Sequence, residues 1–136
     1  MSDEAAVIDA VKDMVEAVNR GIFARAVSAF SENACVVEDI SPFRWQGPSA
    51  AIDWLQAMGA NAAKLNVSAI LMKLEMAERV EVEANHAYVL VPGSLRMRGL
   101  ESELRADGLL TFTLSRKEAG WLIDTLTWSG PHPAAE

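Results

Sequence analysis

The second half of the chain alternates. From Ile70 to Val82 the even positions Ile70, Met72, Leu74, Met76, Val80 and Val82 are apolar, while Lys73, Glu75, Arg79 and Glu81 hold odd positions. Successive side chains on a strand leave opposite faces, so a period of two describes a strand with one dry face and one wet face. The pattern predicts a strand over 70–82, a tight turn at Ala84-Asn85, a return strand His86–Arg98, a third strand over Glu101–Arg116 and a fourth over Trp121–Trp128. Strands of ten or more residues curl. Pro92-Gly93 inside the second predicts a bulge or a sharp bend.

The first half has a different period. Val7, Ile8, Val11, Met14, Val15 and Val18 share one helix face, Ser2 or Asp3 can cap its start, and Gly21 stops it. A short second helix places Phe23, Ala26, Val27 and Phe30 together. A short strand follows, from Ala34 to Glu38 or Asp39, and Ser41-Pro42 breaks regular structure. A third helix starts at Gly47-Pro48-Ser49 with Pro48 in its first turn. It carries Ile52, Leu55, Met58 and Ala62 on one stripe with Trp54 beside it, and Gly59 weakens or ends it. Helices grouped before an antiparallel sheet specify α+β. The expected shape is a curved antiparallel sheet wrapped around the N-terminal helices. It forms a cone with an apolar pocket, and its mouth lies at Asp39 to Trp45.

At 136 residues the chain suits one domain over 1–136, large enough to bury a real core. The net charge of −7 disfavours nucleic acid and anionic membranes as partners. No apolar run approaches the ~18 residues of a membrane span. The acidic start Met1-Ser2-Asp3-Glu4 is unlike a signal peptide, so a cytoplasmic location is expected. The single cysteine, Cys35, lies in the apolar run Ala34–Val37 and reads as a small buried hydrophobe. His86 and His132 have no neighbours at metal-ligand spacing, and no phosphate loop or dinucleotide fingerprint occurs. Neither a metal nor a cofactor is expected. The segment after Gly130 reads as a short frayed end.

Glu38 and Asp39 are the candidate catalytic residues. Adjacent strand residues face opposite ways, so at most one enters the pocket. A carboxylate there would be desolvated, its pKa raised into the range of a general base. Which of the two faces inward stays open. Phe43, Trp45, Trp54 and Trp128, with Met14, are the candidate ligand-binding residues: the aromatic rings would form a flat apolar wall. The outer sheet face, with Leu109, Thr111 and Thr113, offers a homodimer interface.

Val18-Asn19-Arg20-Gly21, Ala26–Phe30, Ser31–Asp39, Phe43–Pro48 with Ala51-Ile52, Gly120-Trp121 and Thr127-Trp128-Ser129 together resemble the nuclear transport factor 2-like superfamily with its cystatin-like cone. Within it they are similar to the ketosteroid isomerase and SnoaL-like polyketide cyclase branch, which implies a single SnoaL-like domain. In the isomerases an acid at the end of the first strand is the general base. Asp39 matches that motif, and an ungapped run from Gly21 places Glu38 there. Met14 stands where the isomerases hold an oxyanion-donating tyrosine. Gly108 or Leu110 stands where they hold an aspartic acid donor, and Trp128-Ser129 matches an aromatic-serine pair. The resemblance implies binding of a small apolar molecule, with cofactor-independent isomerase, cyclase or dehydratase chemistry, or a non-catalytic ligand-binding or protein-interaction domain.

Overall fold

Ser2 begins the fold by accepting a hydrogen bond from the Ala5 amide at 3.1 Å, capping α1 (Asp3–Asn19). The predicted face is the buried one: Val7, Val11 and Met14 are at most 2% exposed. Gly21 takes a positive φ of 72°, and the chain reverses into α2 (Phe23–Ser28). Phe30 is not part of that helix; it opens β1 (Phe30–Val37). Then come β2 (Arg44–Gln46) and α3 (Ala50–Lys64). Ser49 is the N-cap of α3, so Pro48 lies before the helix, and the helix runs through Gly59 for another turn. Ala50, Ala51, Trp54 and Leu55 are its buried residues, while Ile52 faces outward. The structure is a computed structural model and describes residues 2–135.

The rest is strand: β3 (Ser68–Leu74), β4 (Arg79–Glu83), β5 (His86–Arg98), β6 (Glu103–Lys117), β7 (Gly120–Ser129) and β8 (Ala134–Ala135). The predicted strand over 70–82 is therefore two strands. Both pair with β5, one after the other, and the handover is at Pro92, whose carbonyl accepts from Glu75 N at 2.9 Å. Of the bulge or sharp bend expected at Pro92-Gly93, a bulge against β6 is absent, because β5 and β6 stay in unbroken register from His86↔Ser115 to Arg98↔Glu103. The register shifts fall elsewhere, in the pairings of β6 with β7, β1 with β7, and β3 with β5. They bend the sheet. Nor is the C-terminal segment frayed: Ala134 and Ala135 pair with Arg105 and Leu104.

Strand order is β2-β1-β7-β6-β5-β3, with β4 on β5 and β8 on β6. All pairs are antiparallel except β1 with β7. The curved sheet and its helices make an α+β cone. Helix α1 lies across the concave face, against β3, β4 and β7, and α3 packs on β1 and β2. Asn19 fixes the end of α1 to the sheet, accepting from Met72 N at 2.9 Å and donating to Met72 O at 2.8 Å. Across the concave face Val36, Leu126, Phe112 and Val89 are consecutive cross-strand partners, each at most 1% exposed.

Candidate functional site

Between α1, α3 and the concave face lies a cavity of about 290 Å³. Helix α1 gives it Met14, Val15 and Val18; α3 gives Trp54, Leu55 and Met58; the sheet gives Met72, Leu95, Leu110 and Leu126. Its exposed lining residues Phe23, Gly59, Ser68 and Ala69 mark the mouth. In this apolar chamber stands one ionisable side chain, Glu38.

Glu38 follows the last residue of β1 and extends its inward phase, Ala34, Val36, Glu38, all three buried. Its amide donates to Phe43 O at 3.2 Å and Phe43 N donates to Ile40 O at 2.7 Å, so the turn that joins β1 to β2 fixes its backbone. Phe43 has a φ of 74° in that turn. The carboxylate accepts a 2.9 Å hydrogen bond from Trp54 Nε1. Trp54 is itself held edge-on by Phe30, with ring centroids 6.1 Å apart. Glu38 is 7% exposed, and its pKa rises from 4.5 to about 7. Desolvation is the main cause; the Trp54 bond opposes it, and the charge of Asp39 adds to it. At neutral pH Glu38 is thus shared between acid and base forms, and either can act on a C–H or C–O bond placed beside it.

Asp39 points away from this chamber. It lines a second hollow of about 240 Å³ with Ile40, Leu65, Met97, Trp128 and His132. His132 Nδ1 comes within 3.5 Å of Asp39 Oδ2. The two hollows share Glu38, Met58, Ala62, Ile70 and Leu95.

The five expected ligand-binding residues are dispersed. Met14 and Trp54 line the main cavity and Trp128 lines the second hollow. Trp45, on β2, pairs with Val36 of β1 and is buried in the core, lining neither hollow. Phe43 is 58% exposed on the turn and also lines neither. The mouth of the main cavity lies between α2, α3 and the start of β3, not at Asp39 to Trp45 as expected. Leu126 is a lining residue that sequence reasoning passed over, although it lies on the inward phase of its strand; Leu110, set by the resemblance where the isomerases hold a donor, lines the cavity too. Gly108 leaves room for the Trp128 ring, which lines the second hollow: a Cβ at Gly108 would come within 2.5 Å of Ser129 O and 2.8 Å of that ring. Cys35 is half-buried on the outer face beside Thr125, not in the core. Among the described residues no three His, Cys, Asp or Glu side chains gather to hold a metal, and no helix is long and apolar enough to cross a membrane.

Solved structures share this architecture at low identity. A hexachlorocyclohexane dehydrochlorinase LinA-type3 from Novosphingobium barchaimii LL02 superposes with a TM-score of 0.79 at 16% identity, covering 97% of this chain and 88% of that one. A ketosteroid isomerase-like protein from Erwinia carotovora atroseptica SCRI1043 gives 0.76 at 14%, covering 97% and 98%. A domain of unknown function with a cystatin-like fold from Nostoc punctiforme PCC 73102 gives 0.71 at 22%, covering 95% and 77%. These likenesses establish the fold. No curated protein matches the sequence. The SnoaL-like domain matches residues 1–127, nearly the whole chain, and the chain belongs to that family.

Proposed function

We propose that the chain binds a small apolar molecule in the main cavity and that Glu38 moves a proton on it without a cofactor, in an isomerisation or an elimination. One observation carries this reading. A buried carboxylate with a pKa of about 7 stands alone in an apolar chamber, hydrogen-bonded to an indole that fixes its orientation. Holding such a group in place contributes to rate in two ways. It sets the base beside the bond to be broken, and it keeps water away from the proton in flight. Relatives by fold include a dehydrochlorinase and a ketosteroid isomerase-like protein, and proton removal from carbon fits both descriptions. Asp39, on the other side of the chain, acts through its charge on Glu38. The proposal includes a homodimer through the outer sheet face, supported by two uncharged rows across β1, β7, β6 and β5: Val37, Thr127, Thr111, Leu90 and Cys35, Thr125, Thr113, Tyr88.

The test is turnover of cyclic ketones and halogenated or hydroxylated alicyclic compounds. Glu38→Gln keeps the acceptor for Trp54 and removes the base, so it lowers turnover roughly 100-fold or more; Asp39→Asn changes it only a few-fold. Turnover unchanged in Glu38→Gln removes the proposal. A non-catalytic binder is the second reading, favoured because Met14 and Leu110 line the cavity where a donor to a developing oxyanion would be useful. It predicts that a bound compound is recovered chemically unchanged.

A further inference from the structure

We infer that the site is bipartite: an amphipathic ligand lies past Glu38 with its apolar body in the main cavity and a hydrogen-bond-donating or cationic end in the second hollow, beside Asp39. The inference rests on the small-molecule reading above and names the chemistry of its ligand.

Three observations point the same way. First, the two hollows are neighbours through one ring of residues. Glu38 comes from the β1–β2 turn, Met58 and Ala62 from α3, Ile70 from β3 and Leu95 from β5. A molecule reaching beyond one hollow must pass these five, so the proton-moving group stands at the middle of its length. Second, the compartments differ in polarity. The polar side chains inside the main cavity are already engaged, Glu38 with Trp54 and the Asn19 amide with both backbone groups of Met72, and Ser68 stands at its exposed mouth. The second hollow adds Asp39, Asn61 and His132, and the Asp39 side chain is 39% exposed. Third, the acidic groups facing the second hollow are Glu38 and Asp39, with the His132 imidazole beside them. Two carboxylates repel an anionic ligand and favour a donor or a cation, in keeping with the net charge of −7. The hollow has a wall on the tail side because β8 pairs with β6 and brings His132 and Pro133 over it. A cationic or donating end would take the place that His132 holds on Asp39 at 3.5 Å.

Titration calorimetry at pH 8 with decylamine, decanol and decanoate tests this, with butylamine as a probe too short to reach across both compartments. Decylamine is expected to bind roughly fivefold or more tightly than decanoate, and butylamine at least roughly tenfold more weakly than decylamine. Leu110→Trp fills the main cavity and is expected to abolish decanol binding. Asp39→Asn is expected to reduce the preference for amine over acid to within about twofold. A preference that survives Asp39→Asn and disappears only in Glu38→Gln would place the polar end in the main cavity and overturn the bipartite arrangement. Decanol binding that Leu110→Trp abolishes, with no discrimination between the end groups, would also overturn it while leaving the pocket reading intact. Wild-type protein that binds none of these probes would remove both.

Discussion

The two faces of one sheet are made by the same strands, yet they handle charge in opposite ways. On the concave face, Val36, Leu126, Phe112 and Val89 form a dry row sealed by α1 and α3, and the one charge admitted, Glu38, is pushed towards neutrality. On the convex face the rows one residue out of phase are uncharged and, apart from the exposed Val37, half-buried: Val37, Thr127, Thr111 and Leu90, then Cys35, Thr125, Thr113 and Tyr88. Charge appears at the ends of these rows, at Arg44, Arg79 and Glu81. In the second of these rows the Thr113 and Thr125 hydroxyls satisfy each other, 2.6 Å apart. A face covered by its own helices can spend stability on a reactive group. A face without such a cover keeps its centre neutral, as a surface that meets another protein does.

The difference is largest in packing. Phe112→Ala opens a void in the middle of the concave row, where no residue is exposed by more than 1%. It should cost about 3–5 kcal/mol. Thr111→Ala, its neighbour on the other face, should cost less than about 1 kcal/mol. Urea unfolding of both variants checks the contrast, and similar losses at the two positions would mean that the convex face is as tightly packed as the core.

Glu38 provides the next contrast, through pH. Its folded pKa of about 7 lies above 4.5, so folding favours the protonated form. The stability tied to that proton is fully present below pH 4.5, falls as the pH rises from 4.5 to about 7, and is flat above. Its whole extent is about 3 kcal/mol. Glu38→Gln cannot lose this proton, so that decline should vanish. At pH 8 the variant should be more stable than the parent by up to about 3 kcal/mol, while at pH 4 the two should be alike. Unfolding free energies at the two pH values measure it, and a variant no more stable at pH 8 would mean that Glu38 is not held in a dry site. The same substitution should then raise stability and lower turnover, as expected of a group kept for function at the expense of folding.

How legible these features were in the sequence follows from what alternation can and cannot mark. Strand β5 was readable to its ends because its pattern is bounded by Asn85 and Gly99. The break between β3 and β4 was not. Alternation runs straight through Met76, which is 89% exposed, and a period of two reports faces, not partners. The site was half readable. Two acids after an apolar strand are visible, but Ala34-Cys35-Val36-Val37 has no polar residue to set its phase, so only pairing with β7 and β2 decides that Glu38 turns inward and Asp39 outward. Trp45 and Trp54 look alike as aromatics near the turn. One pairs with Val36 in the sheet, and the other reaches the cavity from the buried face of α3. The tail was misread because two alanines carry no strand signal of their own; their partners lie thirty residues back on β6.

The smallest effect on folding should come from the convex face, and it is the most informative about partners. Thr111→Glu places a charge at the centre of the neutral rows, half-exposed, where a single chain can hydrate it. The fold should lose no more than about 0.5–1 kcal/mol. If two copies meet through this face, however, each interface receives the charge twice by symmetry, and the burial of two like charges should dissociate the dimer. Sedimentation velocity would then show wild-type protein as a dimer and the variant as a folded monomer, with unchanged far-ultraviolet circular dichroism. A wild-type protein that sediments as a monomer, or a variant that remains dimeric, would mean that the neutrality of the convex rows serves something other than self-association.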